Sequence, residues 1–220
     1  MKIIPIRALW REFKDLSQSE EYRHSLIAGF AMLLVSFFVS YFAAGYATQQ
    51  LGGPIGDIFA STIPTFHVYG LYVYGPMVFL LGTVIVCFRF PKVIPFAIKA
   101  AALFVLVRAF MVTFTHLGLP PGILMEPKLQ APEFFKTMFL RGDLFFSGHA
   151  GFPFLFALIF WKYKTLRIGF ILWSIFLSII VILGHYHYTI DVAAAFFITY
   201  TIFVIARQFF AKDYAFSEIG

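Results

Sequence analysis

The chain has 220 residues, of which 60% are hydrophobic and 13% charged, against about 45–50% and about 25% in ordinary globular domains. That balance excludes a water-soluble domain and marks an integral membrane protein with little soluble mass. The formal charge of +6 is scattered around apolar segments; it reads as topology determination and argues against nucleic-acid binding, while a lone Cys87 inside an apolar run excludes a disulfide framework and any cysteine-based metal site.

Residues 1–23 interleave Lys2, Arg7, Arg11 and Lys14 with Ile3, Ile6, Leu9, Trp10, Phe13 and Leu16 at roughly helical spacing. The pattern predicts an interfacial amphipathic helix. The apolar run behind it exceeds the roughly 7–15 residues of a signal-peptide core. Six apolar segments follow, at 26–46, 68–88, 95–117, 144–161, 168–183 and 189–210. Each is close to the ~20 residues that cross hydrocarbon as a helix. A loop marked by Gly52, Gly53, Pro54 and Gly56 joins the first two, and a longer one at 118–143, with Pro120, Pro121, Pro127 and Pro132, joins the third and fourth. The expected architecture is all-α: a six-transmembrane-helix bundle at 24–211, preceded by the amphipathic segment 1–23 and followed by a tail at 212–220.

Six spans put both termini on one side. Thirteen lysines and arginines fall on that side, and three, Lys128, Lys136 and Arg141, on the other. The positive-inside rule then places both termini in the cytoplasm. His67, His116, His149, His185, His187, Asp143 and Asp191 gather near the non-cytoplasmic helix ends, leaving only His24 inside.

Two stretches there carry the chemistry. In Gly184-His185-Tyr186-His187-Tyr188-Thr189-Ile190-Asp191, residues four apart share a helix face, so Asp191 can hold His187 by one ring nitrogen and leave the other for chemistry. The second stretch, Arg141-Gly142-Asp143-Leu144-Phe145-Phe146-Ser147-Gly148-His149, enters the fourth span from the same side. At a helix N-terminus the unpaired N–H groups and the dipole favour an anion. Gly148 lets backbone approach a phosphate, Ser147 adds a hydroxyl, and His149 can donate a proton to a leaving oxygen. Taken alone, Ser147-Gly148-His149 is also an ordinary interfacial cap.

Arg108 lies nine residues before Leu117, about 13 Å along a helix. At that depth an arginine costs about 2.5–3.5 kcal/mol or more unless it meets a polar cavity or a partner. Its guanidinium fork suits phosphate oxygens; a buried ion pair with Asp57, Asp143 or Asp191 is the structural alternative, and the two are compatible. Tyr186, Tyr188, Phe145 and Phe146 could hold a choline by cation–π contact or belong to an interfacial aromatic belt. Asp143 or Glu126 could pair an ammonium. No carboxylate cluster suggests a metal site, and no metal or cofactor is expected.

His187-Tyr188-Thr189-Ile190-Asp191-Val192, together with Gly142-Asp143 and Phe146-Ser147-Gly148-His149, resembles the two C-terminal motifs of the sphingomyelin synthase family. That family lies within the lipid phosphate phosphatase (type 2 phosphatidic acid phosphatase, PAP2) superfamily. Pro54-Ile55-Gly56-Asp57 and the run from Arg108 through Thr113 to Pro120 are similar to its upstream motifs. Ala150 stands where the family usually has Thr, and Gly56 where it has Pro. The Lys-x6-Arg-Pro and Ser-Arg elements of the phosphatase branch are not found, and His185-Tyr186 occupies the region of the latter.

The resemblance implies a metal-independent phosphotransferase with His149, His187 and Asp191 at the outer or lumenal face. His187, activated by Asp191, would attack the phosphorus of a phospholipid head group. His149 would protonate the departing diacylglycerol oxygen, and a lipid alcohol such as ceramide would take the head group from a phosphohistidine. Arg108, Asp143, Ser147, Gly148, His185 and Tyr188 are the candidate substrate contacts. The partners expected are a phospholipid donor, a lipid-alcohol acceptor (ceramide or diacylglycerol) and the bilayer. One alternative is a hydrolase that uses water in the second step. Another is a transporter with a proton-coupling His/Asp pair, against which the nearly charge-free helix middles count.

Overall fold

The structure, a computed structural model, describes residues 6–123 and 144–219. Among the described residues every regular element is helical: α1 (Ile6–Gln18), α2 (Glu20–Gln49), α3 (Tyr69–Arg89), a 3-10 turn (Pro91–Val93) that runs into α4 (Ile94–Phe114), α5 (Gly148–Ile159), α6 (Lys164–Leu183), α7 (Thr189–Phe209) and α8 (Ala211–Phe216). Five of them are long and apolar enough to cross a membrane: α2, α3, the joined segment Pro91–Phe114, α6 and α7. This is the make-up of an integral membrane protein.

Helix α2 starts where Ser19 accepts from Tyr22 N–H and Glu20 and Glu21 occupy the first turn, both favourable at a helix N-terminus. Its buried residues include Tyr22, Gly29, Ser36 and Ala43, seven apart, the period of a coiled-coil seam. Apart from Tyr22 they are small, and small residues let two membrane helices approach closely. The partner is α4, which turns Ala97, Ala100 and Ala101 inward; at Gly29 an added Cβ would lie 3.3 Å from Ile98.

The apolar run at 144–161 departs from the expected full-length span. Its helix, α5, has only 12 residues, about 18 Å of rise, and it is preceded by non-helical backbone at 144–147. Irregular backbone at membrane depth is tolerated when it is buried in protein. Leu144, Phe146 and Ser147 are buried, as are nine residues of α5. α5 is therefore the inner helix of the bundle, packed against α6 and α7. Hydropathy alone does not distinguish it from a lipid-facing span.

Phenylalanine fills the interior around α5. Phe79, Phe96, Phe104, Phe146, Phe156, Phe160, Phe170 and Phe203 form one cluster with Ala150, Ala157 and Ala195. Phe79 alone meets Phe152, Phe156, Phe170 and Trp173 edge-on, and such pairs add about 0.5–1.5 kcal/mol each beyond area burial. At the far end of the bundle from the α5 and α7 N-termini, Lys99 Nζ donates to Asp213 Oδ2 (2.6 Å) and Ser25 Oγ (2.7 Å). Ser25 in turn donates to Asp213. Tyr22 donates to Pro91 O (2.8 Å), and Lys92 pairs with Glu218 (2.7 Å). The residues after 211 are thus pinned to α2 and α4 through α8. α1 half-buries Leu9, Phe13 and Leu16 while Arg7, Arg11 and Lys14 stay exposed, and Phe13 meets Phe88 and Tyr22 edge-on.

Candidate active site

Helix α7 creates the first half of the site. Its N-cap is Tyr188, and Asp191 sits at the third helical position. There the carboxylate accepts from Tyr188 N–H (Oδ2, 3.0 Å) and lies in the favourable field of the helix N-terminus. The same oxygen takes the Nδ1 proton of His187 at 3.4 Å, a long contact beside the 2.7–2.9 Å of a tight charge-assisted bond. Catalytic bonds that are loose without substrate commonly tighten in the complex. Asp191 is fully buried, and its Oδ1 has no hydrogen-bond partner among the described residues. With Nδ1 turned to the carboxylate, Nε2 is the His187 nitrogen left for chemistry.

Helix α5 supplies the second half. Ser147 N–H donates to Asp191 O (3.0 Å), tying the start of α5 to the first turn of α7. The Ser147 hydroxyl is buried with no hydrogen-bond partner among the described residues. Arg108 reaches across from α4 and its Nε donates to Phe146 O (2.8 Å). A Cβ on Gly148 would lie 3.3 Å from that Nε, so glycine is what lets the guanidinium come close to the N-terminal turn. His149 is buried, stacked on the Tyr72 ring (4.5 Å, 16°), with Nε2 3.2 Å from Tyr72 O. The His149 and His187 ring centroids are 6.2 Å apart, within reach of one phosphoryl group.

These residues meet at one end of a cavity of about 360 Å³. Arg108, Gly148, His149 and His187 give its polar end; Leu33 and Phe37 of α2, and Met77 and Leu80 of α3, lie along its apolar length. Phe37, Met77 and Leu80 are also 40%, 38% and 51% exposed, so the cavity opens sideways between α2 and α3, on the surface that hydrocarbon would cover.

The remaining candidates sit elsewhere. Tyr188 is fully buried and outside the cavity lining; its hydroxyl donates to Gly118 O (2.9 Å) and accepts from Ile55 N–H (3.2 Å). It bolts together two loops whose backbones also pair, Gly52 N to His116 O and Gly118 N to Gly53 O. A side chain on Gly118 would strike the Gly53 backbone at 2.4 Å. His185 likewise faces the loops, giving its Nδ1 proton to Pro121 O (2.8 Å) with Thr65 Oγ1 at 3.1 Å. Asp143 and Glu126 lie outside the described residues.

Asp57 has a role that its place in the sequence does not announce. Its two oxygens accept from Thr189 N–H (2.7 Å) and Thr189 Oγ1 (2.9 Å), capping α7 from a distant loop, and from Phe59 and Ala60 N–H at 3.0 Å. Burial pushes this carboxyl up, but the bonds from Ala60, Thr189 and Phe59 outweigh burial and hold it below the usual carboxylate range. Of the three carboxylates weighed as partners for Arg108, Asp57 is thus engaged with Thr189 and Asp191 with His187.

Residues 141–208 match the family model for the PAP2 superfamily C-terminal domain. The match takes in Ser147, Gly148, His149, His187 and Asp191 and supports PAP2 superfamily membership. It points to lipid chemistry of the phosphatase or phosphotransferase type. Neither a curated protein nor a solved structure matches the chain.

Proposed function

We propose that this protein moves the phospho-head group of a glycerophospholipid onto a lipid alcohol such as ceramide. The observation that carries the reading is the cavity, which joins two histidines and an arginine to an apolar length open towards the bilayer. A two-chain lipid can slide in between α2 and α3 and bring its phosphate to the polar end.

There His187 Nε2 attacks phosphorus while Asp191 holds Nδ1–H and stabilises the growing imidazolium. The bond from phosphorus to the diacylglycerol oxygen breaks, and His149 gives that oxygen a proton. Arg108 and the N–H groups that open α5 stabilise charge on the phosphoryl oxygens. In the second step the acceptor hydroxyl returns a proton to His149 and its oxygen displaces His187 from phosphorus. The distribution of lysine and arginine supports a periplasmic, extracellular or lumenal position for this end of the bundle and cytoplasmic termini. α1 lies in the cytoplasmic interface, with Trp10, 67% exposed, facing the lipid.

The test is incubation of purified protein in micelles with labelled ceramide and a panel of glycerophospholipids. A phosphosphingolipid product supports the reading. Water-soluble phosphate or phospho-alcohol with no lipid product overturns it in favour of a hydrolase that uses water in the second step.

A further inference from the structure

Proline inside a helix removes one N–H and drives its ring against the carbonyl four residues earlier. In an apolar bundle that carbonyl needs another donor, which a neighbouring helix can supply. Pro76 lies inside α3, and four residues before it is Tyr72. Its carbonyl, which a residue with an N–H at position 76 would engage, accepts instead from His149 Nε2 at 3.2 Å. The ring of the same tyrosine lies flat on the imidazole at 4.5 Å, and Tyr186 backs that ring at 4.1 Å. One residue therefore holds His149 by an edge and a face.

We infer that Tyr72 and Pro76 are positioning residues that fix the tautomer of His149, so that His149 exchanges its working proton through Nδ1. A carbonyl oxygen only accepts, so the contact at Nε2 requires a proton there in both charge states of the ring. The proton that comes and goes is then the one on Nδ1, and the electron-rich face of Tyr72 favours the charged ring that carries both. The inference rests on the proposed role of His149 as proton carrier. On this view Pro76 is a deliberate defect in α3. It gives up a helical bond so that a carbonyl 77 residues away in sequence can seat the acid of the site. His187 is fixed the opposite way, with its proton on Nδ1 against Asp191, so the two histidines work through different nitrogens.

The test uses 15N-histidine-labelled protein in micelles, with His149 and His187 assigned by the signals lost in H149N and H187N. At a pH where His149 is neutral, the expected spectrum shows an Nε2–H tautomer. In P76A an N–H returns to compete for the Tyr72 carbonyl, and His149 becomes a mixture of tautomers. The kcat of P76A falls about 10- to 100-fold, as expected when an acid–base group is misplaced, with KM nearly unchanged and the pH–rate profile displaced. An Nδ1–H tautomer in the wild type overturns the inference, and so does a folded P76A whose His149 tautomer is unchanged. The wild-type spectrum needs no substrate. A protein that moves no head group but shows Nε2–H refutes the proposed function and leaves the seat standing; an active protein with Nδ1–H does the reverse. Should P76A fail to fold, the wild-type spectrum still decides.

Discussion

The two ends of this bundle are both polar, and they use polarity differently. At the end where α8 is pinned, the half-buried charges find complements: Lys99 binds Asp213 and Ser25, Ser25 closes the triangle, and Glu218 takes Lys92. At the end where α5 and α7 begin, hydrogen-bonding capacity is left over. Asp191 Oδ1 and Ser147 Oγ are buried with no hydrogen-bond partner among the described residues, and the bond from His187 to Asp191 is stretched to 3.4 Å. A buried polar atom left unsatisfied costs about 1–3 kcal/mol. A bundle that bears this cost at one end and closes the Lys99–Asp213–Ser25 triangle at the other separates stability from the proposed chemistry. Separate substitutions at each end can then break that contrast.

The largest effect is expected at Asp191. Asp191→Asn is nearly isosteric, but the amide no longer selects the Nδ1–H form of His187. Turnover should fall by about 10³–10⁴, the order seen when a triad carboxylate is neutralised, while the thermal midpoint in micelles moves little. Wild-type turnover in this variant would remove Asp191 from the mechanism.

At the other end the expectation reverses. Lys99→Met leaves Asp213 beside Ser25 with no ammonium. Breaking a buried pair costs about 3–5 kcal/mol, and with side chains 11% and 15% exposed the lower part of that range applies. Thermal unfolding should show the loss, and Lys99→Met with Asp213→Leu should recover most of it, since no lone charge remains. Turnover per folded molecule should hold in both. If Lys99→Met instead lowered turnover with no change in the midpoint, the two ends would be coupled and the contrast would fail.

The same contrast governs how much could be read from sequence. Twenty-residue apolar runs reveal α2, α3, α4, α6 and α7, because length and hydropathy set that outcome directly. They say nothing of whether an apolar run faces lipid or protein, so the non-helical backbone at 144–147 and the shortness of α5 were hidden inside an apparent span. The seven-residue spacing of Tyr22, Gly29, Ser36 and Ala43 carried the α2–α4 seam in plain view. In the site, His187 and Asp191 were legible as a pair four residues apart, although His187 lies just outside α7 and reaches Asp191 from the bend before its N-cap, and Arg108 was legible because a charge in an apolar run demands a reason. Tyr72 and Pro76 were not, and Asp57, singled out within Pro54-Ile55-Gly56-Asp57 and as a possible partner of Arg108, gave no sign of its role in capping α7. Their partners lie 77 and 132 residues away, and no local period links a proline in one helix to a histidine in another. A Pro inside an apolar span is the one available hint, since it obliges some neighbour to bond a carbonyl.

Asp57 gives the smallest effect and sharpens the contrast, because it contributes stability at the reactive end. Its bonds to Thr189 cap α7 just upstream of Asp191, and Asp57→Asn should cost about 1 kcal/mol, as losses of helix caps do. The folded carboxyl titrates below its unfolded value. Its contribution is therefore complete above the unfolded value of about 3.9 and is lost as pH falls through the lower, folded one. The gap in thermal midpoint between wild type and Asp57→Asn should hold steady from pH 8 to pH 5 and close as pH is taken down towards 3. Taking the difference between two proteins that share every other carboxylate isolates this group. A gap that widens on acidification would mean that the Asp57 carboxyl titrates above its unfolded value, and that burial outweighs the four hydrogen bonds it accepts.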